Sequence, residues 1–139
     1  MTGLMVCIAV LAAASAFGVW HRRRKGRPTV RKRDDGARLG AAEIGAELGE
    51  RATLLQFSSA FCQPCRATRR TLAEVVGMVE GVAHVEIDAE DHLDLVRHLN
   101  VLRTPTVLVL DADGAIVRRA SGQPRKADVI AALGAAVRD

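Results

Sequence analysis

Two cysteines separated by two residues, Cys62 and Cys65, are the feature that most limits what this chain can fold into. They follow an apolar run, residues 53–58, that predicts a buried strand, and they precede a segment with helical periodicity. A thiol at such a strand-to-helix junction meets the unpaired amides and the positive dipole end of the helix, which favour the reactive thiolate. Because the second cysteine can attack the first and close a small ring, the pair indicates a redox-active site.

The amino-terminal segment is the second strong constraint. Residues 3–20 carry no charge, and at about 1.5 Å per residue a helix of this length spans roughly 27 Å, enough for a bilayer core. Trp20 at its end suits a membrane interface. We expect residues 1–20 to be a transmembrane anchor in the cell membrane, with Cys7 a small apolar residue inside it. The alternative is a cleaved signal peptide, since Ala14-Ser15-Ala16 is similar to a cleavage site.

Positive charge is concentrated directly after this segment. Residues 1–39 contain nine Lys or Arg and two Asp, a net +7, whereas residues 40–139 have a net −3. We expect residues 21–39 to be a basic juxtamembrane linker that contacts anionic lipid heads and keeps the following domain on the cytoplasmic side of a single-pass protein. Nucleic acid is not an expected partner, because the domain is mildly acidic and no aromatic residue is interleaved with the basic cluster.

The remaining sequence alternates between strand and helix patterns. The predicted elements are helix 41–48, strand 53–58, helix 66–79, strand 82–88, helix 91–100 with Asn100 as its cap, strand 105–110, strand 115–120 and a last helix opened by Pro124. The first two strands are joined through a helix and should be parallel. The last two should form a hairpin around the turn at 111–114. We therefore expect an α/β domain over residues 40–139, with a central mixed sheet of four to five strands flanked by helices.

Over residues 40–139 the sequence resembles the thioredoxin superfamily. The resemblance depends on motifs in the family's order: strand 53–58, Cys62-Gln63-Pro64-Cys65, Val85-Glu86-Ile87-Asp88, Thr104-Pro105-Thr106 and Gly122 before the last helix. It implies a thioredoxin-like fold, here preceded by one transmembrane helix. Many anchored members of this superfamily work outside the membrane, where disulfides form. The resemblance therefore makes the extracytoplasmic side the alternative to the cytoplasmic one.

The resemblance also implies the roles of individual residues. Cys62 becomes the exposed attacking thiol and Cys65 the buried resolving thiol. The Thr104–Pro105 peptide becomes a cis bond beside the disulfide, which leaves the backbone of Thr104 free to pair with an extended substrate segment. The other substrate-binding residues expected around the sulfurs are Phe61, Gln63 and Pro64.

Three positions depart from the family pattern. The family often has Trp just before the first cysteine, where this chain has Phe61. Many members have a buried acid six residues before the first cysteine, where this chain has Gln56, which cannot take up a proton. His84 matches a lysine that thioredoxins carry near that acid. We hypothesise that His84, beside Gln56, takes over part of the missing acid–base function. The alternative is an ordinary strand histidine with a solvated or hydrogen-bonded ring.

The function implied by the resemblance is that of a thiol–disulfide oxidoreductase. Gln63-Pro64 lacks the histidine of strongly oxidising members, which favours a protein-disulfide reductase. Its expected partners are disulfide-containing protein substrates and an upstream thiol reductant, with no bound cofactor and no metal. A zinc site that adds His84, His92 and His98 to the cysteines is one alternative. A non-catalytic, membrane-tethered binding or assembly module with idle cysteines is the other.

Overall fold

The computed structural model describes residues 1–25, 29–32 and 37–137, and of residues 22–25 and 29–32 it describes the backbone. Its elements, in chain order, are α1 (Thr2–Lys25), β1 (Thr29–Lys32), α2 (Ala41–Ile44), β2 (Ala52–Ser58), α3 (Gln63–Met78), β3 (Val82–Asp88), α4 (Leu93–His98), β4 (Thr106–Asp111), β5 (Ile116–Ser121) and α5 (Lys126–Ala136).

The strands form one mixed sheet in the order β1-β5-β4-β2-β3. Strand β2 pairs in parallel with β3 and antiparallel with β4, and β4 and β5 form the expected hairpin. The predicted α/β class and mixed sheet are confirmed. Strand β1 lies inside the segment expected to be a linker, and it pairs antiparallel with β5. No local sequence pattern predicts β1, because this strand forms by pairing with β5, which lies far along the chain.

Each face of the sheet is covered by helices over an apolar cluster. On one face, α3 and α5 pack against β2 and β4 through residues such as Leu72, Leu133 and Val109. On the other face, α2 and the segment after α4 cover Leu55, Phe57 and their neighbours. Strand β2 is buried over all seven of its residues because it is covered on both faces. The run that contains Leu54, Leu55 and Phe57 was therefore the correct sequence signal for the central strand.

Several element boundaries differ from those predicted. Helix α2 ends at Ile44 rather than at 48, because Gly45 takes the left-handed conformation (φ 71°) that closes a helix. Helix α3 begins three residues earlier than predicted, directly after Cys62. Helix α4 is shorter than predicted, and Asn100 follows it in the left-handed conformation expected of a cap (φ 54°). Helix α5 begins at Lys126, two residues after Pro124.

Strand β3 has its predicted bounds, Val82–Asp88, and the other predicted strands shift by one residue at one end or both. Strand β2 starts at Ala52, and β4 and β5 cover Thr106–Asp111 and Ile116–Ser121 instead of 105–110 and 115–120. Pro105 thus precedes β4 rather than opening it, which suits a residue without a backbone N–H.

The packed unit includes residues before position 40. Leu39 is buried in the apolar cluster on the face of the sheet that α2 covers, and 1% of its surface is exposed. Its backbone N–H donates to the carbonyl of Gly114 at 2.9 Å. Leu39 therefore contributes to the core as well as connecting the domain to the preceding segment.

Helix α1 is long and apolar enough to cross a membrane over Thr2–His21. None of this stretch is buried against the rest of the described chain, and its apolar side chains are therefore available to lipid. Its length and composition fit either a membrane anchor or a signal sequence.

Candidate active site at the carboxyl end of the central strand

The two cysteines form a disulfide at the start of helix α3. The sulfurs of Cys62 and Cys65 are 2.05 Å apart and their Cα atoms 5.2 Å apart. Cys62 is the residue that caps the helix, and its Sγ accepts the backbone N–H of Cys65 at 3.2 Å. After reduction, the same amide and the positive end of the helix dipole favour a thiolate at Cys62. Pro64 fits the first turn because its missing N–H would have no helical partner there.

The two sulfurs differ in access to solvent. Cys65 retains only 2% of its surface, whereas Cys62 is half-buried at the mouth of the site. Phe61, directly before Cys62, is 96% exposed and has a positive φ of 58°, an uncommon conformation for a bulky residue. Gln63 and Pro64 are also exposed. A half-buried and a buried cysteine thus share one disulfide, beside the exposed Phe61, Gln63 and Pro64.

A second loop reaches the same end of the sheet. The Thr104–Pro105 peptide is cis, as the resemblance implied. Phe57 on β2 pairs with Thr106 on β4, so the loop after β2 and the loop before β4 emerge side by side. The hydroxyls of Ser59 and Thr104 form a hydrogen bond of 2.7 Å between these loops.

The proline loop is fixed from its other side. The N–H of Gly122 donates to the carbonyl of Pro105 at 2.8 Å, and Gly122 has a φ of 91° that favours glycine. Arg103 Nη2 donates to the carbonyl of Ser121 at 2.9 Å. The end of β5 therefore holds the residues on both sides of Thr104.

A polar cleft of about 450 Å³ opens beside the disulfide. Its lining includes Cys62, Arg66 and Asp88, together with an ion pair between Arg69 and Glu86. That pair is bidentate, with Arg69 Nε and Nη2 at 2.6 and 2.5 Å from the two carboxylate oxygens. The ordering of Arg69 by Glu86 gives one wall of the cleft a fixed shape.

Gln56 lies fully buried beneath the first turn of α3. Its Nε2 donates to the carbonyl of Cys65 and to Ser58 Oγ, both at 2.9 Å. Its Oε1 lies 3.1 Å from His84 Nε2. Burial lowers the pKa of His84 below its usual 6.5, although Glu86 opposes this shift and Arg69 adds to it. His84 therefore contacts Gln56 rather than a cysteine sulfur, which favours the hydrogen-bonded alternative over direct acid–base work.

The structure gathers most of the predicted site residues at the carboxyl end of β2, and His84 lies farther from that end, opposite Leu54 and in contact with Gln56. Cys62, Cys65, Phe61, Gln63 and Pro64 lie at the start of α3, Thr104 and Pro105 lie on the loop before β4, and Gln56 and His84 lie on β2 and β3.

Sequence reasoning missed the polar residues that complete the site: Ser58, Ser59 and the cleft residues Arg66, Arg69, Glu86 and Asp88. The alternation of His84, Glu86 and Asp88 along β3 was the available signal, because alternate strand residues share one face. Among the described residues, no group of three or more His, Cys, Asp or Glu is arranged to hold a metal ion. The zinc alternative, with His92 and His98, gains no support from these positions.

The fold and the disulfide together define a class of protein, the thiol–disulfide oxidoreductases. A family model described as thioredoxin matches residues 42–135. Since this match covers more than half of the sequence, the chain belongs to the thioredoxin family.

Solved structures of thioredoxins share the fold. A single-residue mutant of a thioredoxin from Halobacterium salinarum NRC-1 superposes with a TM-score of 0.59 at 18% identity, over 65% of this chain and 78% of that one. Chloroplastic thioredoxin z gives a TM-score of 0.55 at 24% identity, over 61% of this chain and 77% of its own. Mitochondrial thioredoxin 3 from Saccharomyces cerevisiae, in its oxidised form, gives 0.54 at 18% identity, over 61% and 78%. No curated protein sequence matches this chain.

Proposed function

We propose that this protein reduces disulfide bonds in other proteins close to a membrane, with Cys62 as the attacking thiol. The observation that carries the proposal is the contrast between the two sulfurs. Cys62 is partly exposed and its Sγ accepts the Cys65 N–H at the positive end of α3, whereas Cys65 is 2% exposed. One sulfur is therefore placed to meet a substrate and the other to act within the molecule.

The reaction runs in two exchange steps. The Cys62 thiolate attacks one sulfur of a substrate disulfide, forms a mixed disulfide and releases the first substrate thiolate, which takes up a proton. Cys65 then loses its proton and attacks Cys62 Sγ, and the second substrate sulfur leaves as a thiol. Two electrons and two protons pass to the substrate, and the Cys62–Cys65 disulfide remains. An upstream dithiol reductant returns the pair to the reduced state.

The surroundings of the sulfurs support recognition of an extended protein segment. Phe61, Gln63 and Pro64 are exposed beside Cys62 and offer an apolar and amide rim. Thr104 is half-buried before the buried Pro105, and its backbone is proposed to pair with the substrate as an added strand. The reducing direction is supported by Gln63-Pro64, a pair without the histidine of strongly oxidising relatives.

Cysteine variants of the full-length chain test this function. With dithiothreitol as reductant, the wild-type protein should reduce a protein disulfide such as those of insulin, and Cys62→Ser and Cys65→Ser should both lose turnover. In cells, Cys65→Ser should accumulate mixed disulfides with other proteins, whereas Cys62→Ser should not. A Cys65→Ser variant that captures nothing, in a protein whose cellular role survives loss of both cysteines, would instead support the binding or assembly module.

Location at a membrane is the second part of the proposal. We infer that α1 spans the cell membrane once, that the basic residues directly after it contact lipid heads, and that the domain, into which β1 and Leu39 are packed, faces the cytoplasm. The supports are the uncharged stretch within Thr2–His21 and the net +7 of residues 1–39.

Thiol labelling in intact cells tests this location. A Cys7→Ser background leaves Cys62 as the accessible cysteine, and a membrane-impermeant maleimide should label it only after the cells are lysed. Labelling of intact cells would place the domain outside. A carboxyl-terminally tagged chain that is shorter than full length, because its first residues have been removed, would identify α1 as a signal sequence.

A further inference from the structure

Gln56 uses both hydrogens of its amide on acceptors close to the disulfide. One goes to the carbonyl of Cys65 and the other to Ser58 Oγ. The side chain has no exposed surface, so no solvent competes for these bonds. Where many family members have an acid, this chain therefore has a neutral group that donates a hydrogen bond to the backbone of the resolving cysteine.

The orientation of the Gln56 amide is determined by its neighbours. A flipped amide would place Oε1 against the carbonyl of Cys65, and two acceptors would then face each other. With Nε2 directed to Cys65, Oε1 faces His84 Nε2 at 3.1 Å. Oε1 only accepts, so His84 must carry its hydrogen on Nε2 and donate it.

The charged groups around His84 are already paired with each other. Glu86, two residues along β3, forms the bidentate ion pair with Arg69 of α3. Glu86 raises the pKa of His84 and Arg69 lowers it, so their effects oppose each other. Burial lowers the pKa of His84 and so favours the neutral ring. The hydrogen bonds run in one direction, from His84 through Gln56 to Cys65.

We propose that Gln56 and His84 are a positioning pair that holds the Cys65 carbonyl, and with it the first turn of α3, while Cys65 attacks the mixed disulfide. In that step the bond from Cys65 Sγ to Cys62 Sγ forms, the bond from Cys62 to the substrate sulfur breaks, and the proton of Cys65 ends on the departing substrate thiol. Neither Gln56 nor His84 takes up this proton. The inference rests on the proposed disulfide-exchange function and assigns a role in its second step.

The two exchange steps can be observed separately with an aromatic disulfide. The reduced full-length protein, in detergent and with Cys7→Ser, is mixed with dithiobis(nitrobenzoate). Attack by Cys62 releases the first coloured thiolate, and attack by Cys65 on the resulting mixed disulfide releases the second. Gln56→Leu should slow the second release about ten-fold, equivalent to about 1.4 kcal/mol, and change the first less than about two-fold.

Variants of His84 distinguish positioning from proton transfer. His84→Leu removes the donor to Gln56 Oε1 and should slow the second release roughly three-fold. His84→Gln offers an amide N–H that does not titrate and should restore the rate. If His84 acted as an acid or base, His84→Gln would be as slow as His84→Leu, and the positioning role would be wrong.

Thr53→Val is the matched control. Thr53 is on the same strand, is equally buried, and accepts the N–H of Gly49 at 2.9 Å on the side away from the disulfide. Its loss should reduce stability and leave both releases unchanged. Equal slowing of both releases in Gln56→Leu would overturn the proposal. A wild-type protein that gives no second release would instead overturn the proposed function itself.

Discussion

The hydroxyls of Ser59 and Thr104, 45 residues apart in sequence, lie 2.7 Å from each other and join the cysteine loop to the cis-proline loop. One loop carries the sulfur proposed to attack the substrate, and the other carries the backbone proposed to bind it. Their relative position is therefore a property of the fold that a single hydrogen bond reinforces.

Removing this bond should weaken substrate binding. We expect Ser59→Ala to lower kcat/KM for a protein disulfide about five-fold, since a part-buried hydrogen bond contributes about 1 kcal/mol. The rate at which reduced Cys62 is alkylated by iodoacetamide at fixed pH should stay unchanged. Thr104→Val should have the same effect, and the double variant should be no worse than either single variant. If the losses of kcat/KM in the two single variants added up in the double variant, the two hydroxyls would not be acting through a shared hydrogen bond.

Two buried threonines should respond in opposite directions to the same substitution. Thr68 and Thr53 both have no exposed surface, but Thr68 Oγ1 has no hydrogen-bond partner among the described residues. Thr68→Val removes a buried hydroxyl that lacks compensation and should raise the free energy of unfolding by about 1 kcal/mol. Thr53→Val leaves the N–H of Gly49 unpaired and should lower it by about 1–2 kcal/mol. Denaturant unfolding of both variants measures the contrast.

A glycine turn should prove essential for the packing of residues before position 40. Gly114 has a φ of 79°, and a Cβ there would lie 2.1 Å from the carbonyl oxygen of Leu39. Gly114→Ala should therefore cost about 2–4 kcal/mol of unfolding free energy. The control is Gly134→Ala in α5, where a Cβ has open space and the change should stabilise by roughly 0.5–1 kcal/mol. Similar effects of the two changes would argue against the contact with Leu39.

Stability should fall as the solution is acidified, in part because of His84. Its pKa is lowered in the folded state, mainly by burial, so below the usual value of about 6.5 the unfolded chain binds a proton that the folded chain refuses. Above that pH, His84 should therefore add no pH dependence to the unfolding free energy. The unfolding free energy should decrease at lower pH, by at most about 1.4 kcal/mol per pH unit, until the folded-state pKa is passed.

His84→Gln isolates that contribution. Because the amide does not titrate, the variant should lose part of the slope below about pH 6.5, with the slopes of other groups retained. Urea unfolding across this range measures the difference. Identical slopes for the variant and the wild type would show that His84 titrates equally in both states.

Local sequence patterns predicted the type and order of most helices and strands correctly. The cysteine pair, the Thr-Pro-Thr motif and the apolar run of β2 each identify their element without knowledge of the rest. The lengths of the helices were harder to predict, because a single residue such as Gly45 can end a helix. Strand β1 is set by pairing with distant β5, which no local window contains.

The inner part of the site was harder to predict for a related reason. Gln56 and His84 were each recognisable as departures from the family pattern. Their hydrogen bond, however, depends on the parallel register of β2 and β3, which pairs Gln56 with Glu86 and leaves His84 diagonal to it. The bond between Ser59 and Thr104 likewise depends on the register of β2 and β4. Register is determined by the whole core and not by the residues that use it.

Strand β2 has partners along both edges and is buried from Ala52 to Ser58. Amides in such a strand exchange with deuterium only when the whole domain opens, whereas the exposed loop that follows exchanges through small local movements. Oxidation and reduction at Cys62 can therefore alter exchange in the loop and the first turn of α3 while β2 stays protected. Strand β2 can therefore keep its position beneath the sulfurs while Cys62 and Cys65 are repeatedly oxidised and reduced.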